Sequence, residues 1–387
     1  MYLLKNGHTP IYIYYLSKEL YERIEFNKKR NPQIQAHYDY FNSIVTNQTK
    51  LCKTSDDINS EIIKHKIEAI IIGADAVLQH HPLLSRLYLK KNIIPLSLKE
   101  VTPDRMFPNL FWGCGFNNGI KMALMSVSCQ NSEYSYFTPM LKRKMRKQLM
   151  NFLYISVRDS WTQKMIKSIC KERDVPITPD PVFAFNYNMS EHIPSREEIY
   201  TKYNLPKRYV IISLFRQTLS EQCLLELKIL FKKKGVDCIV LPMPDEGVNF
   251  SHSFDYVIQT PLSPIYWYSL IKYSEGYIGE NMHPIVTCLH NAVPCFSIDN
   301  WGAKDILGRP LNNGSSKVED IMRIFGVEKN RKPIFRGKCM IDAEDIVNAI
   351  CTFPKVKVRD IAKDYYKGYL DMMNNIMESF QAVDVKI

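Results

Sequence analysis

Continuous runs of apolar residues alternate along this chain with segments in which apolar residues recur at helical spacing. The apolar runs predict strands at residues 11–15, 67–75, 119–129, 153–157, 208–215, 237–244, 276–279 and 293–299, with a short one inside 174–185. The helical spacing predicts helices at residues 56–65, 139–152, 160–170, 220–234, 263–274, 284–290 and 359–380. Residues 1–7 are typical of a helix end with Gly7 as C-cap.

The composition of the predicted strands indicates the fold class. Strands that are apolar throughout are buried on both faces, as in parallel sheets covered by helices. Polar, proline-containing residues 186–208 interrupt the alternation once. We therefore predict an α/β fold with two doubly wound parallel-sheet domains that face each other across a cleft. The predicted division is an N-terminal α/β domain (1–185), a linker (186–208), a C-terminal α/β domain (209–355) and a C-terminal helix and tail (356–387).

Composition narrows the class of protein without selecting a function. Apolar residues make up 45% of the 387 residues and charged residues 24%, as in globular proteins. The ten cysteines form no C-x-x-C pair, which favours free thiols in a reducing compartment. No signal peptide and no membrane-spanning apolar run is visible, so we expect a cytoplasmic protein. A net charge of +11 favours anionic partners; we expect no nucleic acid among them.

The stretch "GENMHPIVTCLHNAVP" places polar side chains between two predicted strands. Pro284 suits the first turn of a helix, so Asn281 or His283 lies at the helix N-terminus, which attracts anions. A substrate-binding loop with a catalytic His283 is one interpretation. The other is structural: Asn281 caps the helix, His283 packs, and the carboxylate of Glu280 itself occupies the anion position.

Other candidate residues follow predicted strands, where the carboxyl ends of parallel strands form the ligand-binding edge. Arg216 suits a phosphate or carboxylate, or pairs with a nearby acid on the surface. Asp75 could act as a base or bind sugar hydroxyls, or cap the next segment. Ser126 ends another strand, and Arg158 with Asp159 is interpreted as a local structural pair.

A basic cluster lies on the predicted helix 139–152. It consists of Lys142, Arg143, Lys144, Arg146 and Lys147. A contact with an anionic membrane surface would explain it, and so would a solvated helix face. The sequence contains no motif for metal binding, nucleophilic catalysis or a phosphate-binding loop.

Five segments, in this order, resemble the polysaccharide pyruvyl transferase family. They are "IEAIIIGADAVLQ", "FPNLFWGCGF" with "KMALMSVSC", "LYISVRDSWTQKMI", "PDPVFAF" and "SPIYWYSLIKYSEGYIGENMHPIVTCLHNAVP". The resemblance extends over about residues 1–300. It implies a two-domain fold of the GT-B type, with the acceptor on the N-terminal side of the cleft and the donor on the C-terminal side.

The resemblance also implies an activity. Such a transferase moves pyruvyl from phosphoenolpyruvate to a hexose, such as galactose, of a capsule, exopolysaccharide or cell-wall glycan precursor. It forms a cyclic ketal and releases phosphate, with no cofactor or metal besides the donor substrate. His283 would act as the acid or a phosphate contact, Asp75 would serve the acceptor hydroxyls, and Arg216 would hold the donor. Glu280, Asn281 and Ser126 would complete the substrate site.

Two departures from the family pattern keep alternatives open. Asn281 stands where the family carries an arginine, and the family's first strand is missing ahead of Met1. A nucleotide-sugar glycosyltransferase or epimerase of the same build is one alternative. An inactive scaffold of a glycan-assembly complex is the other. A lipid-diphosphate-linked acceptor at the inner membrane face would fit the basic helix.

Overall fold

A computed structural model describes residues 2–89, 96–117, 119–215, 218–243, 254–305, 309, 311, 314–335 and 337–384. The helices are α1 (Tyr2–Lys5), α2 (Lys18–Lys28), α3 (Pro32–Ile44), α4 (Ser55–Lys64), α5 (Pro139–Leu149), α6 (Ser160–Ile169), α7 (Phe185–Asn188), α8 (Arg196–Tyr203), α9 (Glu221–Lys233), α10 (Pro264–Lys272), α11 (Met282–Asn291), α12 (Lys317–Ile324), α13 (Ala343–Cys351) and α14 (Lys355–Asp384). The strands are β1 (Ala69–Gly73), β2 (Leu87–Leu89), β3 (Leu96–Leu98), β4 (Lys121–Val127), β5 (Tyr154–Val157), β6 (Tyr209–Ser213), β7 (Asp237–Val240), β8 (Tyr256–Val257), β9 (Gly276–Gly279), β10 (Cys295–Asp299) and β11 (Arg331–Pro333).

Two parallel sheets organise these elements, which confirms the predicted α/β class. The first has the order β1-β4-β5, and the second has the order β8-β7-β6-β9-β10-β11. All residues of β6, β9 and β10 are buried, because helices cover both faces of the second sheet. The pair β2–β3 is antiparallel and separate.

The order of the second sheet defines a binding position. Numbered along the chain, its strands lie in the order 3-2-1-4-5-6, so the direction of winding reverses between β6 and β9. The helical connections of these two strands leave on opposite faces, which opens a crevice at their carboxyl ends. Ser213 pairs with Gly279 at that edge. The loop that begins with Glu280 therefore lies at the mouth of the crevice.

Local chemistry explains where helices begin. The side chain of Thr54 accepts a hydrogen bond from the N–H of Asp57, whose own side chain bonds back to the N–H of Thr54. Ser220 caps α9 in the same way, through the N–H of Cys223.

All ten cysteines are free thiols, and eight of them are buried.

Several elements differ from the sequence-based prediction. Residues 11–15 do not form a strand; they make isolated bridges from Tyr12 to Gln48 and from Tyr15 to Cys52. The short strand expected in 174–185 is reduced to one bridge between Val157 and Ile177. In each segment the pairing is limited to isolated bridges and does not continue into a ladder.

Other elements were not predicted at all. They are helices α2, α3, α7, α8, α12 and α13, and strands β2, β3, β8 and β11. The segment 186–208, predicted as a linker, includes α8, whose Ile199 is fully buried in the core of the second sheet. The division into domains stays a prediction.

Contacts between distant segments hold the two sheets together. Helix α14 follows the second sheet but packs on the first, where Tyr369, Met372 and Ile376 are buried against Ala123. The side chain of Asp320 accepts hydrogen bonds from the N–H and the hydroxyl of Ser160, at 2.8 and 2.9 Å.

None of the helices in the described part of the chain combines the length and the apolar character needed to cross a bilayer.

Candidate active site

The loop after β9 supplies the second sheet's side of the candidate site. Asn281 occupies the N-cap position of α11, but its side chain makes no capping hydrogen bond; its amide nitrogen lies 3.9 Å from the sulfur of Met243. The structural interpretation, in which this amide caps the helix, is therefore wrong. His283 follows in the first turn of α11, and its side chain is exposed. The N-terminus of α11 is open to an anion.

The first sheet contributes Asp75 and Arg158, which follow β1 and β5. The guanidinium of Arg158 is 1% exposed and donates to the carboxylate of Asp180 at 2.9 Å and to the carbonyl of Ala74 at 3.2 Å. It also reaches the carboxylate of Asp75 at 3.5 Å. Asp75 itself is 70% exposed. One buried cation thus connects three loops at this edge and leaves a carboxylate open to the cleft.

The pKa values show that the two sheets share one electrostatic environment. Surrounding protein raises the pKa of Asp75, but the N–H of Ala76 and the charges of Arg158, His283 and Lys317 outweigh this and lower it below its usual value. His283 is surrounded by protein although water reaches it. This desolvation is the main cause that lowers its pKa; Asp180 and Asp75 oppose the shift, and Arg158 and Lys317 add to it. These shifts keep the carboxylate of Asp75 ionised and the imidazole of His283 neutral at pH 7.

Lys317 is a residue of this site that sequence reasoning missed. It lies in the first turn of α12, is 7% exposed, and holds its ammonium 4.1 Å from the ring centroid of Trp301. It forms no ion pair with a described carboxylate. Burial, with a contribution from Arg158, lowers the pKa of Lys317 to about 8. The sequence offers no local signal for it, because "SSKVED" reads as an ordinary helix start.

A buried carboxylate, Asp299, positions Lys317. It accepts hydrogen bonds from the N–H of Trp301 at 2.8 Å, from the hydroxyl of Ser316 at 2.6 Å and from Arg331 at 2.8 Å. Trp301 lies under the ammonium, and Ser316 caps α12. Asp299 ends β10, so the carboxyl edge of the second sheet fixes the start of α12.

Glu280 is engaged within the protein. The side chain is 5% exposed and accepts from the N–H of Phe215 at 3.1 Å and from the hydroxyl of Thr218 at 2.9 Å. This carboxylate therefore accepts from donors that follow β6. The structural interpretation placed it at the N-terminus of α11, where the structure shows no hydrogen bond to it from a described residue. Arg216, the predicted donor-binding residue, lies outside the described residues.

Ser126 is engaged within the protein. It is fully buried, and its hydroxyl donates to the carbonyl of Thr178 at 3.2 Å, while its N–H donates to Ser156. The structure brings together Asp75, Asn281 and His283 at facing edges. Ser126 is buried beneath this edge and not exposed at it, and its substrate-binding role stays a prediction.

Arg158 and Asp159 do not form the local pair that the sequence suggested. Arg158 pairs with Asp180 and Asp75, whereas Asp159 caps α6 through the N–H of Thr162 at 2.7 Å. The two side chains leave the strand end in opposite directions, since neighbouring residues of an extended chain alternate. The signal for Arg158 was present, because it follows an apolar strand at the predicted edge.

The basic face of α5 is exposed at Arg143, Lys144, Arg146 and Lys147, with an ion pair between Arg146 and Glu172. Contact with a membrane stays a prediction.

Across the ranges that the structure describes, no group of three or more His, Cys, Asp or Glu side chains is arranged to hold a metal ion.

We predict that Asp180→Ala lowers the free energy of unfolding by about 3–5 kcal/mol, because it leaves the buried guanidinium of Arg158 without its closest carboxylate. Urea denaturation measures this. The control is Asp364→Ala, which removes a pair with Lys367 in which both side chains are 74% exposed; we expect a change within about 0.5 kcal/mol. Equal, small losses in both variants would contradict the assigned role of Asp180.

Comparisons with known proteins show the family and the fold of this chain. The family model "Polysaccharide pyruvyl transferase" matches residues 2–302. No curated protein matches the chain. Among solved structures, a protein assigned as a UDP-N-acetylglucosamine 2-epimerase from Listeria monocytogenes is similar, with a TM-score of 0.52 at 10% identity and 97% of each chain covered.

The UDP-GlcNAc 2-epimerase from Neisseria meningitidis, bound to UDP-GlcNAc, has a TM-score of 0.51 at 7% identity, covering 84% of this chain and 80% of that one. At such identities the likeness shows the fold alone, and that fold is GT-B-like. Because the family model spans most of the 387 residues, this chain belongs to the polysaccharide pyruvyl transferase family.

Proposed function

We propose that this protein transfers pyruvyl from phosphoenolpyruvate to a hexose, such as galactose, of a surface-glycan precursor and forms a cyclic ketal. The observation that carries the proposal is the grouping in one cleft of two buried cations, Arg158 and Lys317, with the imidazole of His283 and the carboxylate of Asp75. Membership of the family supplies the reaction class.

Cations in this cleft suit a donor that carries both a phosphate and a carboxylate. Lys317 is the better placed of the two, because Arg158 is already balanced by Asp180 and Asp75. The ammonium contacts the ring of Trp301 and forms no direct ion pair with a described carboxylate, although Asp75, Asp159 and Asp180 act on it from farther away. An anionic ligand would therefore supply a direct ionic contact. The open N-terminus of α11 adds backbone donors beside His283.

The reaction needs one proton delivered and two removed. A proton adds to the methylene carbon of phosphoenolpyruvate, and the neighbouring carbon becomes electron-poor. A hydroxyl oxygen of the sugar bonds to that carbon and loses its proton. The bond from the same carbon to the phosphate oxygen then breaks, phosphate leaves, and a second hydroxyl closes the ketal with loss of its proton. Acid, base and anion-binding groups therefore suffice.

The directions of two pKa shifts support these roles. Asp75, with its lowered pKa, is ionised and exposed, so it can accept a proton from a sugar hydroxyl. The free site keeps His283 neutral because of the lowered pKa. A bound phosphate and carboxylate would raise that pKa, since negative charges stabilise the imidazolium. Binding of the donor would thus protonate His283, which is the acid that the first step needs.

We predict that the protein releases phosphate from phosphoenolpyruvate only when a galactoside acceptor is present. His283→Ala should reduce kcat by on the order of 100-fold or more, because the proton donor is lost. Lys317→Ala should raise KM for the donor through the loss of an ionic contact. The control is Lys355→Ala, an exposed lysine at the start of α14, which should leave both constants unchanged.

The two variants should keep unchanged thermal unfolding midpoints. If activity then survives both His283→Ala and Lys317→Ala, His283 is not the acid and Lys317 does not bind the donor. Thermal stabilisation by UDP-GlcNAc and not by phosphoenolpyruvate would favour the nucleotide-sugar alternative. That alternative is motivated by the fold shared with the Neisseria meningitidis epimerase, which is bound to UDP-GlcNAc. Phosphate release without an acceptor would contradict transfer to a sugar.

The pKa of Lys317 predicts a pH dependence of donor binding. An amine with a pKa of about 8 loses its charge as the pH rises through 8. We therefore expect KM for phosphoenolpyruvate to rise as the pH increases from 7 to 9. Lys317→Arg keeps a positive charge throughout, so its KM should change much less over the same range. An equal rise in the arginine variant would show that another group titrates.

A further inference from the structure

The basic face of α5 has no assigned role in the candidate active site. Met145 and Leu149 of this helix are fully buried in the core that lies on the first sheet, so the orientation of the helix is fixed. The opposite face consists of exposed side chains at helical spacing, namely Met140, Arg143, Lys144, Lys147 and, at the C-cap position, Met150. We call these five residues the basic stripe.

The cations of the basic stripe are not neutralised by neighbouring side chains. Helix α5, Pro139–Leu149, contains no carboxylate of its own. The three cations of the stripe form no ion pair with a described residue, whereas Arg146 beside the stripe pairs with Glu172. Like charges three or four residues apart on a helix repel each other. This repulsion is unfavourable, and no described carboxylate relieves it.

Exposed apolar side chains accompany these cations. Met140 at the start of the basic stripe is 67% exposed, and Met150 at its end is 50% exposed. Tyr136, which precedes the helix, is also 50% exposed. Exposed apolar residues are ordinary when they are scattered, but here they lie at both ends of one row of cations. Cations and apolar side chains on one exposed helix face are typical of a helix that lies in the plane of a membrane surface.

We propose that the basic stripe binds the surface of a bilayer that contains anionic lipids, with α5 parallel to the membrane plane. The cations contact lipid phosphates, and Met140 and Met150 enter the boundary between the headgroups and the acyl chains. A nucleic acid also offers phosphates, but proteins that bind single strands present aromatic rings for base stacking and not methionines. An anionic lipid surface accommodates both kinds of side chain in the stripe.

The start of α5 lies at the edge that carries the candidate active site. The N–H of Ser128 donates to the carbonyl of Asp75 at 2.9 Å. Phe137, two residues before the helix, packs its ring on that of His80, with centroids 5.3 Å apart. The loops after β1 and β4 therefore meet where α5 begins. A glycan acceptor carried on a lipid would thus be brought to the cleft; this consequence rests on the proposed function, whereas the membrane contact does not.

Cosedimentation of the whole protein with lipid vesicles tests the contact. We expect binding to vesicles of equal parts phosphatidylcholine and phosphatidylglycerol, and none to phosphatidylcholine alone. The double variant Lys144→Ala, Lys147→Ala should weaken binding on the order of tenfold or more, because each cation near an anionic surface contributes to the attraction. The control is Lys363→Ala, Lys367→Ala, which removes two exposed lysines of α14 and changes the net charge equally. Binding by the control should be unchanged.

A second pair of variants tests whether the methionines enter the bilayer. Met140→Gln should weaken vesicle binding severalfold, whereas Met340→Gln, which changes a methionine that is 81% exposed outside the basic stripe, should not. In Met140→Trp, lipids with bromine on their acyl chains should quench the added indole; Met340→Trp should show no added quenching. None of these readouts depends on catalysis, so a failure of the proposed function leaves them unaffected.

Three results would overturn the proposal. Equal vesicle binding by the two double-lysine variants would show that the basic stripe is not the contact. Vesicle binding without quenching of the added indole in Met140→Trp would show adsorption to the headgroups alone. Binding of a single-stranded oligonucleotide that is lost in Lys144→Ala, Lys147→Ala, together with no binding to anionic vesicles, would identify a nucleic acid as the partner.

Discussion

The buried guanidinium of Arg158 is the constraint on which the cleft depends. A charge that is 1% exposed must be balanced within the protein, and here the balance comes from Asp180 and Asp75, which lie on two other loops of the first sheet. Because Asp180 is buried and Asp75 is exposed, the same ion-pair network both holds the edge together and presents a carboxylate to the cleft. Structure and candidate chemistry therefore share one set of contacts.

The second sheet meets this edge through a different set of carboxylates. Asp299 fixes Trp301 and the start of α12, and Asp320 of the same helix bonds to Ser160 at the start of α6. Lys317 lies between these two anchors. The ammonium is therefore positioned in the cleft by a helix whose first turn is held by contacts to both sheets.

The pattern of apolar strands predicted the parallel sheets, the position of α11 and the strand-end loops that hold Asp75, Asn281 and His283. These features follow from local rules: apolar runs become buried strands, and ligands lie at their carboxyl ends. Lys317 could not be found in this way, because its place in the cleft comes from contacts between segments distant in the chain. The strand expected at residues 11–15 is reduced to two isolated bridges, because pairing depends on a distant segment, residues 47–52, whose register sequence periodicity does not show.

A crystal structure of the protein with bound phosphoenolpyruvate tests the central claim most directly, namely that the facing edges of the two sheets form one donor site. The account predicts phosphate and carboxylate oxygens within hydrogen-bonding distance of the Lys317 ammonium and the N-terminus of α11, with the methylene carbon beside the imidazole of His283. Donor bound elsewhere, with Lys317 still against Trp301 and free of any anion, would contradict it.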